Sequence, residues 1–423
     1  MNRLTQALTT TPIVYITRDI ERAIGIDLDT QGYYIISNKT SFAKRLAEHT
    51  KNILLIDSAR QLDTWELLQH EETKKFIAKI ENPHMLVFKN TEQIERICVE
   101  NKWKLLNPSA KLANRVEEKI SQVEWLGSLA RYLPPHKIQL CKDIQPQKPF
   151  RPFQLFKPFQ PFILQFNRAH TGTGTMLIEN NLQLKEIQQK FPHRDVRITN
   201  YISGPMFTNN NIVTKNNILI GNINYQITGL TPFTQNKFAT IGNDWGVVKK
   251  LLNETQIAEY HKIVTDIGNK LRDDGWKGLF GVDVIVDEKT GKLFLIEVNA
   301  RQPASTTCES ILQQKNTATE KLTTFQAHLL SLLDMEVEND LIQIDDSAQI
   351  ILRNSKNQNF DVEKIKSELK KEDFEIIRYD NTKVGSDLLR IQSKSSLMHS
   401  HNKFNDLGKS VTQSFFRPEL TSW

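Results

Sequence analysis

Cysteine is scarce in this chain: Cys98, Cys141 and Cys308 are the only three in 423 residues, and they are widely spaced. That excludes a disulfide framework and offers no metal-ligand or redox pattern, so reduced thiols are expected. Long apolar runs are missing as well. Nothing approaches the roughly 18 consecutive apolar residues of a membrane span, so no membrane partner is expected. The N-terminal MNRLTQALTTTPIVYITRD has no apolar core of signal-peptide length followed by a small-residue cleavage site, and the expected location is cytoplasmic. Basic residues are not concentrated. The net charge of +6 is modest for this length, and Lys and Arg are interleaved with Glu and Asp, which argues against a nucleic-acid partner. The first strand-to-helix turn lacks G-x-G-x-x-G, so a dinucleotide-binding Rossmann unit has little support.

What is present is an α/β pattern. Hydrophobic content of 39% with 25% charged residues describes a globular protein, long enough for about two or three domains. Ile13–Ile16, Tyr33–Ser37, Ile53–Ile56 and Met85–Phe88 read as strands. Between them Ser41–Glu48, Glu72–Ile80 and Glu92–Glu100 have helical spacing, which predicts a largely parallel sheet layered with helices. Trp103–Leu106 reads as a further strand and Ala110–Arg131 as one long helix. Residues 143–162 repeat a polar-Pro-Phe unit, a density of proline that favours an extended linker. Further on, strand Ile163–Phe166, a Gly/Thr loop, helix Asn181–Lys190 and a run of strands from Val196 to Gly229 precede a loop at Thr231–Asn243 and a helix at Glu254–Asp273. Strands Ala348–Arg353, Phe374–Tyr379 and Asp387–Ile391 with helix Val362–Lys370 make up a smaller α/β tail.

The most informative stretch is GVDVIVDEKTGKLFLIEVNAR, Gly281–Arg301. It reads as two strands joined by the turn-rich Glu288-Lys289-Thr290-Gly291. Symmetric closure places Asp283 opposite Glu297. Strand alternation puts Glu297, Asn299 and Arg301 on one face and Ile296, Val298 and Ala300 on the other. Two carboxylates, an amide and a guanidinium thus converge on an otherwise apolar hairpin, where unpartnered charge is costly. Oxygen ligands without His or Cys favour Mg²⁺ shared with substrate phosphates. The plainer reading is a hairpin with a charged solvent face.

The acid on one strand followed by Glu297-Val298-Asn299-Ala300-Arg301 resembles the E-x-N-x-R metal signature of the ATP-grasp superfamily. That resemblance implies an N-terminal parallel-sheet pre-ATP-grasp domain (1–142), a linker (143–162), an ATP-grasp domain with α+β lobes (163–333) and a small C-terminal α/β region (334–423). It implies Asp283, Glu297 and Asn299 as ligands of Mg²⁺ (or Mn²⁺), and Arg301 as a holder of the transferred phosphoryl group. Lys119, on the helix before the linker, matches a family lysine that reaches the ATP phosphates. Gly172, Thr173, Gly174 and Thr175 match the family's flexible loop over the phosphates; glycine lets backbone N–H groups approach an anion closely. Alone, such a segment is more often a tight turn. The family's second lysine falls at Gln165, which carries no charge, and Arg168 is the nearby cation that would compensate. Thr199, Asn200, Tyr201 and Ile202 resemble the adenine-lining hinge, with Thr199 where the family often has an acid. Asp244 reads as a helix cap, His193, His261 and His328 have no metal spacing, and Cys308 has no partner for a nucleophile.

The implied activity is ligation of small-molecule carboxylate and amine substrates at the expense of ATP, with an acyl-phosphate intermediate. A biotin-carboxylase-like or carboxylate–thiol ligase, or an ATP-binding module without turnover, are the rivals; no A-M-K-M biotinylation signature occurs. A homodimer is the default for such an enzyme.

Overall fold

The computed structural model describes residues 3–145, 159–167, 174–315, 320–354, 362–370, 374–379, 381 and 383–415. Strands β1 (Ile13–Ile16), β2 (Tyr33–Asn38), β3 (Ile53–Ile56), β4 (His84–Val87) and β5 (Lys104–Leu105) form a parallel sheet in the order β3-β2-β1-β4-β5. Their sequences are apolar nearly throughout because helices cover both faces of a parallel sheet. Val14 and Ile16 pack with Leu67, Ile94 and Ile97 on one face. Ile13 and Tyr15 pack with Phe325 and Leu329 of the helix Thr324–Leu332 on the other. Thr40 and Thr91 cap the helices Ser41–Ala47 and Glu92–Glu100, accepting from the N–H groups of Ala43 and Ile94 and so satisfying donors that a helix start leaves free.

The expected helix over 110–131 is broken. It runs as Ala110–Glu117, then Ser121–Leu126, then a 3₁₀ turn at Gly127–Tyr132. Glu118 is extended, and the N–H groups of Lys119 and Ile120 donate to Asn167 O (3.3 Å) and Asn167 Oδ1 (2.9 Å). A residue distant in sequence, through its carbonyl and its side chain, thus satisfies groups that helix continuation would otherwise use.

Strands β6 (His136–Leu140), β7 (Phe162–Phe166), β8 (Thr175–Ile178) and β9 (Asp195–Asn200) make an antiparallel sheet in the order β6-β9-β7-β8. It has its own small core, in which Leu164, Ile178 and Val196 meet Leu184 of the helix Asn181–Lys190.

The largest sheet contains β10 (Met206–Val213), β11 (Ile218–Leu219), β12 (Asn224–Thr228), β13 (Thr240–Asp244), β14 (Gly278–Val286), β15 (Leu293–Asn299), β16 (Ala348–Arg353), β17 (Glu375–Arg378) and β18 (Asp387–Ser393). Their order is β15-β14-β10-β12-β13-β16-β18-β17, with β11 beside β10. The segment expected as a loop up to Asn243 therefore contains β13, whose pairing with β12 and β16 supplies the hydrogen bonds its polar sequence did not advertise. The C-terminal strands extend this sheet, and Ile350, Leu389 and Ile391 share a core with Phe207 and Ile241.

The 20-residue helix Glu254–Asp273 packs Tyr260, Ile263, Val264, Ile267 and Leu271 into that core, the spacing of a single helical face. Asn253 and Gln256 form a reciprocal capping box at its start, as sequence spacing of this type favours. Among the described residues, no helix is long and apolar enough to cross a membrane.

Candidate active site

The β14–β15 hairpin closes in the expected register, with Asp283 paired to Glu297 and Gly281 to Asn299. On the other side of β14, Thr208 of β10 stands opposite Asp283 and its hydroxyl donates to the carboxylate. The register slips between Asp283 and Val284, so that Val284 pairs with Leu295 and Ile296 becomes the extra residue. This β-bulge corrects one expectation. Val298 and Ala300 do pack into the core, but Ile296 is half-buried and lines a cavity instead, because a bulge re-aims the side chain it inserts.

The charged groups of the hairpin are tied into one network. Lys119 Nζ lies 2.8 Å from Glu297 Oε1. Asn299 Nδ2 reaches Asp283 Oδ2 at 3.4 Å, and Asn299 Oδ1 accepts from Arg301 Nη2 at 2.7 Å. Arg301 also pairs with Glu117, whose second oxygen takes Lys89 Nζ at 2.6 Å. The helix break described above is what turns Lys119 onto Glu297 while Glu117, the last helical residue, holds Arg301.

The two facing acids are tuned apart. Burial, then the neighbouring Glu297 charge, push the Asp283 carboxyl up to about 6. Burial also acts to raise Glu297, but Lys119 first and then Arg301 outweigh it and hold that carboxyl below its ordinary value. Burial acts to lower the Arg301 pKa, but Glu117 and Glu297 outweigh it and hold it above the ordinary value. One of two close carboxylates ionises readily and the other does so reluctantly, as like charges require.

These residues could hold a divalent cation. Asp283, Glu297 and the Asn299 carboxamide offer only oxygen donors, which suits Mg²⁺ and also Mn²⁺. Among the described residues no group of three or more His, Cys, Asp and Glu side chains is placed to hold a metal ion. A cation at the hairpin would complete its shell with water and phosphate oxygens.

Beside the hairpin lies a cavity of about 100 Å³ between the small β6–β9 sheet and the large sheet. Gln165, Thr175, Thr199, Asn200, Tyr201 and Ile202 all line it, together with Phe238, Ile285 and Ile296. Six residues expected to touch nucleotide are thus brought to one apolar-walled hollow with convergent polar groups, the usual character of a small-molecule site. Gly174 accepts a hydrogen bond from Phe166 N–H through its carbonyl at 3.0 Å. Arg168, Gly172 and Thr173, expected in the loop over the phosphates, lie outside the described residues.

Three participants escaped the sequence reading: Glu117, which anchors Arg301; Asn167, which breaks the helix at Lys119; and Arg197, which lines the cavity beside Gln165. Arg197 could have been found, since it shares the face of β9 with Thr199. The other two had no local signal. Asp244 behaves as a cap: its carboxylate accepts from Val247, Leu397 and Met398 N–H groups and ties the C-terminal segment to β13. Burial pushes the Cys308 thiol up to about 12, unlike an activated nucleophile. It pushes His328 down to about 3, so that imidazole is a neutral acceptor for Leu279 N–H.

Residues 117–305 match the model of the ATP-grasp domain. No curated protein matches the chain by sequence. Among solved structures, the chain is similar to N5-carboxyaminoimidazole synthetase from Staphylococcus aureus, at 14% identity and a TM-score of 0.62 over 96% of both chains. It is similar to N5-carboxyaminoimidazole synthase from Aspergillus clavatus, solved with ADP and 5-aminoimidazole ribonucleotide, at 15% identity and a TM-score of 0.65 over 96% of this chain and 100% of that one. A third likeness is to L-amino acid ligase from Bacillus licheniformis, at 11% identity and a TM-score of 0.61 over 96% of both chains. At these identities the likeness is one of fold.

Proposed function

Because residues 117–305 carry an ATP-grasp domain, we propose that this protein is an ATP- and Mg²⁺-dependent ligase that activates a carboxylate for attack by an amine. The observation that carries the reading is the meeting of Asp283, Glu297, Asn299 and Arg301 with Lys119 at the edge of a cavity lined by the hinge Thr199–Ile202. In this reading the backbone of Asn200–Ile202 binds the adenine edge, and Ile285 and Ile296 pack on its ring. Lys119 exchanges Glu297 for a phosphate oxygen when nucleotide enters, which frees Glu297 to face the cation. Mg²⁺ held by Asp283, Glu297 and Asn299 would neutralise charge on the phosphates. Arg301, kept in place by Glu117, presents fixed positive charge to the transferred phosphoryl group.

The chemistry balances in two steps. A carboxylate oxygen of the substrate bonds to the γ-phosphorus as the bond to the β–γ bridging oxygen breaks, giving an acyl-phosphate and ADP. An amine nitrogen then bonds to the acyl carbon, inorganic phosphate leaves, and the nitrogen loses a proton.

The test is calorimetric titration of a non-hydrolysable ATP analogue, with and without Mg²⁺, into wild type and Glu297→Gln, followed by a screen of carboxylate and amine pairs for ADP release. Magnesium-dependent binding that the variant loses, with ADP release for some pair, is expected. Turnover by Glu297→Gln at the wild-type rate would sink the assignment. Gln165, at the position of a family lysine, favours a second reading, a nucleotide-binding module without turnover. Tight analogue binding with no ADP release across the panel, thiol acceptors and bicarbonate included, would select it.

A further inference from the structure

Arg197 is buried to 2% of its free surface, yet its hydrogen-bond partners are neutral. Its Nε donates to Gln165 Oε1 at 2.9 Å and its Nη1 to Gln122 Oε1 at 3.3 Å. Gln122 is fixed in turn by donating to Val116 O at 2.9 Å. The other arginine buried as deeply among the described residues, Arg390, is matched to an acid, Glu21, and the half-buried Arg301 is matched to Glu117. Among the described residues, no carboxylate lies within ion-pair distance of Arg197. The acid whose charge it feels is Glu297, and that carboxylate is already engaged by Lys119. A buried cation without a counter-charge is costly to keep. The strain registers in its acidity, since burial pushes the guanidinium down to about 10.

The surroundings indicate what would relieve that cost. Arg197 lines the same cavity as Thr199–Ile202, two residues further from the hinge along β9, and is paired across the sheet with Gln165. Gln165 Nε2 donates to Thr175 Oγ1 at 3.2 Å, and Gln165 Oε1 holds the guanidinium. We propose that Arg197 is a phosphate-binding residue of the nucleotide site, supplying from β9 the positive charge that Gln165 does not supply from β7. This rests on the nucleotide reading above. The ligand group it selects is the anionic phosphate chain, because a neutral adenine ring would leave the cation as uncompensated as before. Gln165 is then a positioning residue that aims Arg197 across the strand pair.

The competing explanation is a purely structural arginine that ties β9 to the helix Ser121–Leu126. Four variants separate the two: Arg197→Gln, Gln165→Lys, the double variant with both changes, and Gln165→Glu. Each is titrated with adenosine and with the Mg²⁺ complex of a non-hydrolysable ATP analogue, and each is melted. Arg197→Gln is expected to weaken the analogue about 10- to 100-fold, the worth of a charge-assisted hydrogen bond, and to leave adenosine within about twofold. The double variant returns the charge on the facing strand and should recover most of that loss. Gln165→Glu gives Arg197 a partner, so it should raise the melting temperature and weaken the analogue by about tenfold or more. It keeps the test decisive if Arg197→Gln fails to fold.

Equal losses for adenosine and the analogue, no recovery in the double variant, or unchanged analogue binding in Gln165→Glu would each overturn the role. Wild type that binds neither ligand would overturn the nucleotide reading itself. Wild type that binds both, with Arg197→Gln unaffected, would overturn only the assignment to Arg197.

Discussion

Arg390 on β18 is held by three partners at once. Its Nη2 lies 2.8 Å from Glu21 Oε2, its Nε donates to Tyr379 Oη at 2.8 Å, and its Nη1 donates to Gln349 Oε1 at 2.5 Å. The Tyr379 hydroxyl donates to the other oxygen of Glu21. The Glu21 and Arg390 side chains are only 4% and 3% exposed. Glu21 belongs to the 3₁₀ turn Ile20–Ala23, and that turn braces the segment that follows Arg301. Thr307 Oγ1 donates to Glu21 O at 2.7 Å, Gln302 Nε2 to Arg22 O at 2.8 Å, and Arg22 Nη1 to Ala304 O at 2.9 Å. Arg390→Met would leave a buried carboxylate with one hydroxyl for company. Breaking a buried pair from one side costs about 3–5 kcal/mol, roughly 10²- to 10^3.6-fold in the folding equilibrium at about 1.4 kcal/mol per decade. Neutralising both ends, in Glu21→Gln with Arg390→Met, should recover most of it, because the penalty is the orphaned charge and not the lost attraction. Urea unfolding of the two single variants and the double variant, followed by tryptophan fluorescence, gives the coupling directly. Limited proteolysis would report whether residues 302–307 loosen. If Arg390→Met matches wild type to within about 0.5 kcal/mol, or the double variant is no better than the worse single one, the pair does not brace the site.

Glu309 is buried, and desolvation pushes its carboxyl up to about 7 despite donors from Asn222, Asn210 and Thr324. Unfolded, it titrates near 4.5, so between these values the folded state binds more protons and stability falls as pH rises, by at most about 3 kcal/mol. Glu309→Gln lacks that slope and should gain on wild type between pH 5 and 7.5 in urea melts; parallel curves would refute it. Gly204, just past the cavity-lining Thr199–Ile202, has φ +154, and a Cβ there would meet Val286 O at 1.8 Å. Gly204→Ala should therefore cost about 2–4 kcal/mol and weaken adenosine binding; a variant with wild-type stability in the same melts would show that the β9–β14 junction is looser than described.

How far the site could be read in advance depended on distance along the chain. The parallel sheet was legible because apolar strands and amphipathic helices alternate with their own periods, which are properties of the backbone. The pairing of Asp283 with Glu297 was legible because a short turn sets hairpin register locally. The bulge at Ile296 was not, because it is a detail of pairing and packing. Nor was β13 legible, since its polar sequence becomes a strand only between β12 and β16.

The sequence by itself determined the local frame: two facing acids, an amide and an arginine on one hairpin, a strand at Asp195–Asn200, and a lysine upstream. Only the tertiary structure decided what those groups meet. Asn167 takes the N–H of Ile120, 47 residues earlier in the chain, where the helix has broken and Lys119 meets Glu297. Gln165 and Gln122 hold Arg197 buried, with no carboxylate at ion-pair distance among the described residues, and a C-terminal arginine braces an N-terminal turn. Periodicity speaks for the few residues within a turn or a strand. Partners drawn from distant segments are chosen by sheet order and packing, and no short stretch of sequence carries that information.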